Sequence, residues 1–250
     1  MSPVAAIVFD LDGTLFDHEA SVRAALYHWL PPFSDTVDEA DVVPGFRAES
    51  EEFERLTAIW FSLEERAFAA WRAGEITWTD QRRLRLREFL RLAGMPNMDA
   101  HLDTVFAAYL AAYQARWRPF PDAVKCLKSI AKKKISVAVL TNGLQTQQVD
   151  KTVVTGLAPL CGPVFASSGI GVAKPDAESY LLVCERLGVS PADTVMVGDN
   201  YELDVRGARE AGLRAVHLDR LSTHRIADPS RIATLRELRI TDPELGTVKP

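Results

Sequence analysis

The sequence is short of several things, and each shortage closes off a class of function. No apolar run approaches the ~20 residues that would cross a bilayer, although 47% of the 250 residues are apolar. Met1 to Asp12 shows no basic start, long apolar stretch or cleavage signal, so a secretory leader is not expected. Cysteine is scarce. Cys126, Cys161 and Cys184 stand far apart and outside any CxxC pair, which reads as free thiols in a reducing compartment. The histidines, His18, His28, His101, His217 and His224, show no metal-ligand spacing. Basic residues are not in excess either: 29 Lys and Arg face 34 Asp and Glu, for a net charge of -5. Nucleic-acid binding calls for a basic face, and none is evident. Internal repeats and low-complexity tracts are missing too. These absences lead to the expectation of a cytoplasmic protein with no nucleic-acid and no membrane partner.

What is present alternates between strand and helix patterns. Val4 to Phe9 is a short apolar run rich in branched residues, fit for a buried strand, and it breaks off into the polar loop Asp10-Leu11-Asp12-Gly13-Thr14. Glu19 to about Leu30 turns helical, and Asp35 to Gly45, acidic and holding Pro44, reads as a connection. From about Phe46 to Trp117 there is no strand pattern. Apolar residues return at helical spacing instead: Phe53, Leu56, Ile59 and Trp60; Leu84, Phe89, Leu90 and Leu92; Leu102, Phe106, Tyr109, Leu110 and Tyr113. Beyond Pro121, strands at 135–140, 163–166, 194–198 and 214–218 alternate with helices at 145–155, 176–187 and 203–211. Such alternation predicts an α/β fold: a doubly wound, Rossmann-like parallel sheet with helices on both faces. Its core would comprise residues 1–17 and 119–250, with an all-helical cap domain over 18–118 inserted after the first strand.

Polar residues gather at the ends of the predicted strands. Asp10 and Asp12 follow the first, Thr141, Asn142 and Gly143 follow the one ending at Leu140, and Asp199 and Asp204 follow the one ending at Gly198. Lys174 lies in the loop from Gly169 to Pro175. In an open parallel sheet, ligands bind beyond the carboxyl ends of the strands, so these groups would share one crevice. Asp10, Asp12 and Asp199 cannot all be ionised at close range without a compensating cation. Hard carboxylate oxygens with no His or Cys beside them select Mg²⁺. Mg²⁺ accepts phosphate oxygens, and the Lys174 ammonium, the Thr141 hydroxyl and the N–H groups of Asn142 and Gly143 suit the same anion. Aspartate is also an accepted nucleophile for phosphoryl transfer.

In this order, the segments resemble the four motifs of the haloacid dehalogenase-like (HAD) hydrolases. Asp10-Leu11-Asp12-Gly13-Thr14 is similar to the first, Thr141-Asn142-Gly143 to the second, Lys174-Pro175 to the third and Gly198 to Asp204 to the fourth. Gly207 to Gly212 also looks like the helix that follows in many members. The resemblance implies a magnesium-dependent phosphatase that acts on a small soluble phosphate monoester through a phospho-aspartate on Asp10. It implies that Asp12 acts as acid and then base, and that Thr141 and Lys174, with Asn142 and Gly143, hold the phosphoryl group. Mg²⁺ would sit on the Asp10 carboxylate, the Asp12 backbone carbonyl and the Asp199 carboxylate. Asp204 would support that shell from outside, through water or Lys174, and the cap would be a lid hinged near Asp17 and Pro119.

In the family's dehalogenases the second Asp of the first motif is replaced, because a halide leaves without an acid, so Asp12 favours phosphatase. A haloacid dehalogenase, a phosphomutase and a non-catalytic phospho-ligand-binding module are the alternatives. The expected partner is a small phosphorylated metabolite, and the chain is expected as a monomer or homodimer. Elsewhere, Lys132, Lys133 and Lys134 read as cations at a helix end. Arg82, Arg83, Arg85, Arg87 and Arg91 read as a solvated helix face, and Trp60, Phe61, Trp71 and Trp78 as cap core.

Overall fold

The opening apolar run forms strand β1 (Ala6–Phe9), with every residue buried. A strand apolar on both faces belongs in the middle of a covered sheet. In the computed structural model β1 pairs in parallel with β2 (Ser136–Thr141) on one side and, on the other, with the strand Thr194–Gly198. With β3 (Val164–Ala166), that strand as β4, β5 (Arg214–Leu218) and β6 (Arg231–Ile232), the parallel sheet runs β3-β2-β1-β4-β5-β6. The structure describes residues 3–30, 50–133, 135–222, 228–240 and 248–249, so the connection expected at 35–45, Lys134 and His224 lie outside it. Two compact units result: Met1–His18 with Trp117–Pro250, and Glu19–Arg116.

The second unit holds most of helix α1 (His18–Trp29), then α2 (Glu51–Arg72), α3 (Trp78–Leu92) and α4 (Leu102–Gln114), with no strand among its described residues. Ser50 starts α2 by accepting the Phe53 N–H at 3.2 Å, and Thr77 starts α3 by accepting the Asp80 N–H at 3.1 Å. Trp60 is fully buried at the centre, its ring 5.0 Å from Phe89 and 4.3 Å from Tyr109. Phe61, Trp71 and Trp78 are half-buried.

Two expectations fail on α3. Leu84 and Leu92 face outward, 48% and 37% exposed, whereas Arg85, expected on a solvated face, is only 5% exposed. The inner stripe of α3 instead runs Gln81, Arg85, Leu86, Phe89 and Leu90, all buried at helical spacing. Arg85 is accommodated there because it pairs with Glu64 and its guanidinium lies 4.8 Å from the Trp60 ring and 5.3 Å from the Phe106 ring. Arg82 covers the rings of Trp78 and Phe106 at 5.1 and 5.2 Å. Arg83, Arg87 and Arg91 are exposed and pair with Asp103, Asp99 and Glu88.

In the first unit, the connections carry α5 (Ala123–Ala131), α6 (Gln145–Val154), α7 (Ala158–Cys161), α8 (Ser167–Ile170), α9 (Ala177–Leu187) and α10 (Gly207–Glu210), with a π-helical segment at Tyr201–Arg206. Register aligns Val8 with Ala138 and Met196, and Met196 with Ala215. This row packs on Tyr180, Val183 and Cys184 of α9 and Ala208 of α10. Ile7, Phe9, Val139, Val195 and Val197 alternate to the opposite face and are equally buried. Each such side chain contributes about 1.5–3 kcal/mol on leaving water.

A short antiparallel pair, β7 (Arg239–Ile240) with β8 (Val248–Lys249), lies near the end of the chain. The three cysteines are free, Cys161 and Cys184 buried and Cys126 half-buried. Among the described residues, no helix is long and apolar enough to cross a membrane.

Candidate active site

Phe9 lies opposite both Val139 and Val197, so the next residue, Asp10, falls level with Leu140 and Gly198 at the carboxyl end of the sheet. Its N–H extends the ladder by one bond, to the Val197 carbonyl at 2.9 Å. The chain then turns tightly, the Leu11 carbonyl accepting from Leu15 and Phe16 at 3.0 and 2.8 Å. Gly13 takes φ +88° in this turn, and a Cβ there would collide with the Asp199 carboxylate. Thr14 Oγ1 donates to Asp199 Oδ1 at 3.0 Å.

Lys174 ties the acids together. Only 2% exposed, its Nζ donates to Asp10 Oδ1 at 2.7 Å and to Asp204 Oδ1 at 2.5 Å. Asn142 fixes the lysine's backbone with a pair of 2.9 Å bonds, Nδ2 donating to the Lys174 carbonyl and Oδ1 accepting its N–H. Asp204 Oδ2 accepts the Asn200 N–H at 3.0 Å, and a Cβ on Gly198 would overlap its carboxylate. Ligand oxygens of Asp10, Asp199 and Asp204 therefore lie within 4.8 Å of one another.

That crowding has an electrostatic cost. Burial first, then the Asp204 and Asp199 charges, push the Asp10 carboxyl well above its ordinary range despite Lys174. Asp199 is exposed as a residue, yet its carboxyl is crowded by surrounding protein atoms; that partial loss of hydration first, then the Asp204 charge, push it up to about 7. Burial works against the Lys174 ammonium, but Asp10 and Asp204 outweigh it and hold the amine firmly protonated. Fully ionised, three carboxylates beside one ammonium would carry an excess of negative charge, which together with burial is why two of them hold protons so firmly, and all the donors are hard oxygens. A divalent ion such as Mg²⁺ fits this set; zinc or copper, which favour nitrogen and sulfur, do not.

Asp12 faces a different partner. Both its oxygens accept from Lys151 Nζ, at 2.6 and 2.8 Å, and Oδ2 also accepts from Gln148 Nε2 at 2.9 Å. The same Gln148 nitrogen donates to Thr141 Oγ1 at 2.8 Å. Burial opposes ionisation, but the Lys151 charge, with His18 and Gln148 adding, holds the Asp12 carboxyl below its ordinary range.

The structure thus brings Asp10, Lys174, Asp199 and Asp204 into one group and joins Asp12 to Thr141 through Gln148. Asp204 reaches the cluster through its bond to Lys174, with a carboxylate oxygen close to those of Asp10 and Asp199. One expected placement changes. The Gly143 N–H, expected to meet phosphate, is directed at Ser167 Oγ at 3.0 Å, and Asn142 holds Lys174 with its side chain.

Several contributors were not read from the sequence. Gln148 and Lys151 carried one signal, a polar pair three residues apart on a helix beside the sheet. Arg220 carried none. Its guanidinium donates to the carbonyls of Gly13 and Thr14 at 3.3 and 2.9 Å, clasps Asp122 with two 3.0 Å bonds and lies 3.7 Å from the Phe120 ring. His217 Nε2 lies 3.1 Å from the Asp199 carbonyl, and so bears the proton there.

A family model described as haloacid dehalogenase-like hydrolase matches residues 4–212. Phosphoserine phosphatase of Thermus thermophilus is 37% identical over 132 residues, 51% of this chain and 52% of that protein. The chain thus matches only about half the length of that curated relative. The (S)-2-haloacid dehalogenase of Xanthobacter autotrophicus is 30% identical over 224 residues, 90% of this chain and 78% of that one. The magnesium-bound HAD-hydrolase YfnB of Bacillus subtilis shares the fold, with a TM-score of 0.73 at 19% identity, covering 94% of this chain and 97% of that one.

Proposed function

Because this chain belongs to the haloacid dehalogenase-like hydrolases, we propose that it is a magnesium-dependent phosphatase of small phosphate monoesters, working through a phospho-aspartate on Asp10. The observation that carries the reading is Asp12. It lies two residues beyond Asp10 on the same loop, hydrogen-bonded through Gln148 to Thr141. An alkoxide leaving group needs a proton and a halide does not, so a second carboxyl here is of use to a phosphatase and idle in a dehalogenase.

In the proposed course, an Asp10 oxygen attacks phosphorus while the bond to the ester oxygen breaks, and Asp12 supplies the proton to that oxygen. Water then attacks the phosphorus of the acyl phosphate and gives a proton to Asp12, and phosphate departs as the Asp10 carboxylate re-forms. Lys151 favours the ionised form of Asp12, the form the second step uses. For the first step, a substrate monoanion brings the proton that Asp12 passes on, since the second phosphate ionisation lies near pH ~6. Lys174 and Thr141 meet the charge that spreads over the phosphoryl oxygens. Mg²⁺, when bound, would be held by Asp10 and Asp199 with Asp204 beside them, and would supply Lewis-acid neutralisation of phosphoryl charge.

The test is phosphate release from a panel of sugar phosphates, nucleoside monophosphates and phospho-acids, with Mg²⁺ and with EDTA. Release that depends on Mg²⁺ supports the reading. Full activity under EDTA, or isomerised product without free phosphate, refutes it. The Xanthobacter relative favours a second reading, 2-haloacid dehalogenation, for which metal-independent halide release from 2-chloropropionate is the sign.

A further inference from the structure

Gln148 and Lys151 stand out among the polar residues around the site because ordinary stability does not explain them. Each is 3% exposed, and replacing a buried ion pair by apolar side chains of like volume is commonly neutral or stabilising. A lysine buried behind Asp12 therefore asks for another reason.

The geometry supplies one. The Lys151 side chain is 4% exposed and that of Asp12 is 27% exposed, so the ammonium backs a carboxylate that keeps an accessible edge. Nζ reaches both Asp12 oxygens, at 2.6 and 2.8 Å, which fixes the plane of the carboxylate as well as its direction. One Gln148 nitrogen touches Asp12 Oδ2 and Thr141 Oγ1, at 2.9 and 2.8 Å, and so sets the spacing between them. Both side chains project from the same face of α6, three residues apart. The Phe16 ring, 4.8 Å from Nζ, helps to hold the ammonium.

We infer that Lys151 is a positioning residue for Asp12, with Gln148 as the strut that sets Asp12 against Thr141. This rests on the phosphatase reading for its kinetic consequence, though not for its geometric one. A carboxylate displaced by about 1 Å from a reacting oxygen can cost on the order of a hundredfold in rate, while substrate binding need not change.

The experiment compares wild type with Lys151→Met, Lys151→Arg, Gln148→Leu, Asp12→Asn and the double variant Asp12→Asn/Lys151→Met. The substrate is p-nitrophenyl phosphate or the best monoester from the panel. Lys151→Met is expected to lower kcat about a hundredfold with KM moving less than about threefold. Lys151→Arg is expected to recover part of that loss. Because Lys151 acts through Asp12, the double variant is expected to be no slower than Asp12→Asn alone. An unchanged kcat in Lys151→Met, or losses that multiply in the double variant, overturns the inference.

A crystal structure of Lys151→Met, or of Gln148→Leu should the former not fold, gives a readout free of turnover. An Asp12 carboxylate that keeps its place relative to Thr141 sinks the positioning role. If wild type releases no phosphate from any monoester, the phosphatase reading fails by itself, and this structure still decides the role of Lys151.

Discussion

On the proposed phospho-aspartate course, Asp10 would have to be an ionised nucleophile in a place that resists ionisation, because burial and two neighbouring carboxylates raise its proton affinity. Asp10→Asn keeps the shape, removes the proposed nucleophile and relieves the crowding. Turnover should fall at least a thousandfold, in line with removal of other enzymic nucleophiles by roughly that factor or more. In EDTA at neutral pH the variant should melt no lower than wild type, since a carboxyl with a raised pKa destabilises the fold above its unfolded pKa. A sharply lowered melting point would contradict that account.

Asp228 is the opposite case. Burial pushes against it, but hydrogen bonds from Arg209 and Ser230 prevail and hold its carboxyl at about 2 against an ordinary 3.8. A depressed pKa stabilises the fold above the unfolded value and ceases to do so as pH falls through the folded one. The gap in denaturation midpoint between wild type and Asp228→Asn should therefore be full at pH 7, shrink below pH ~4 and close near pH ~2.

At the scale of elements, charge has been placed where helices and turns need holding. Arg220, carried just beyond β5, clasps the carbonyls of the turn that follows Asp10 and anchors itself on Asp122, which also accepts the Leu235 N–H at 2.9 Å. The loop bearing both acids is thus braced by a residue some two hundred positions away.

Within the helical unit, Arg85 and Glu64 join α3 to α2 across the buried stripe. Removing one partner strands the other, so Arg85→Met should cost about 3–5 kcal/mol by chemical denaturation. The double variant Arg85→Met/Glu64→Met should recover most of it, because a buried pair adds little over apolar packing. A single-variant loss below about 1 kcal/mol would mean that the pair is solvated.

Across the whole molecule, a cation bound at the acid trio would couple to folding. A ligand that binds only the folded state stabilises it by about 2.7 kcal/mol at a hundred times its dissociation constant. Mg²⁺ should accordingly raise the melting point of the wild-type chain and have little effect on Asp199→Asn, which removes one of the clustered carboxylates. An equal shift in both, followed by differential scanning fluorimetry, would place the ion elsewhere. The measurement needs no substrate and so reads the cation site independently of the reaction.

The local sequence went far enough to specify the α/β class, because a strand buried on both faces must be continuously apolar, and a polar break ends it. Asp10 and Asp12 share a loop by adjacency, and the strand–helix alternation sent Thr141 and Asp199 to the same end of the sheet. Neither burial on α3 nor the partner of Asp12 could be found that way. Leu84 looked inward and Arg85 outward until Glu64 and two aromatic rings supplied a place for the charge. Lys151 meets Asp12 across 139 positions, and Arg220 meets Gly13 across 207. Such pairings depend on strand order and on which helix face turns toward which strand end. Long-range packing sets both, and hydrophobic periodicity in a single segment carries no record of them.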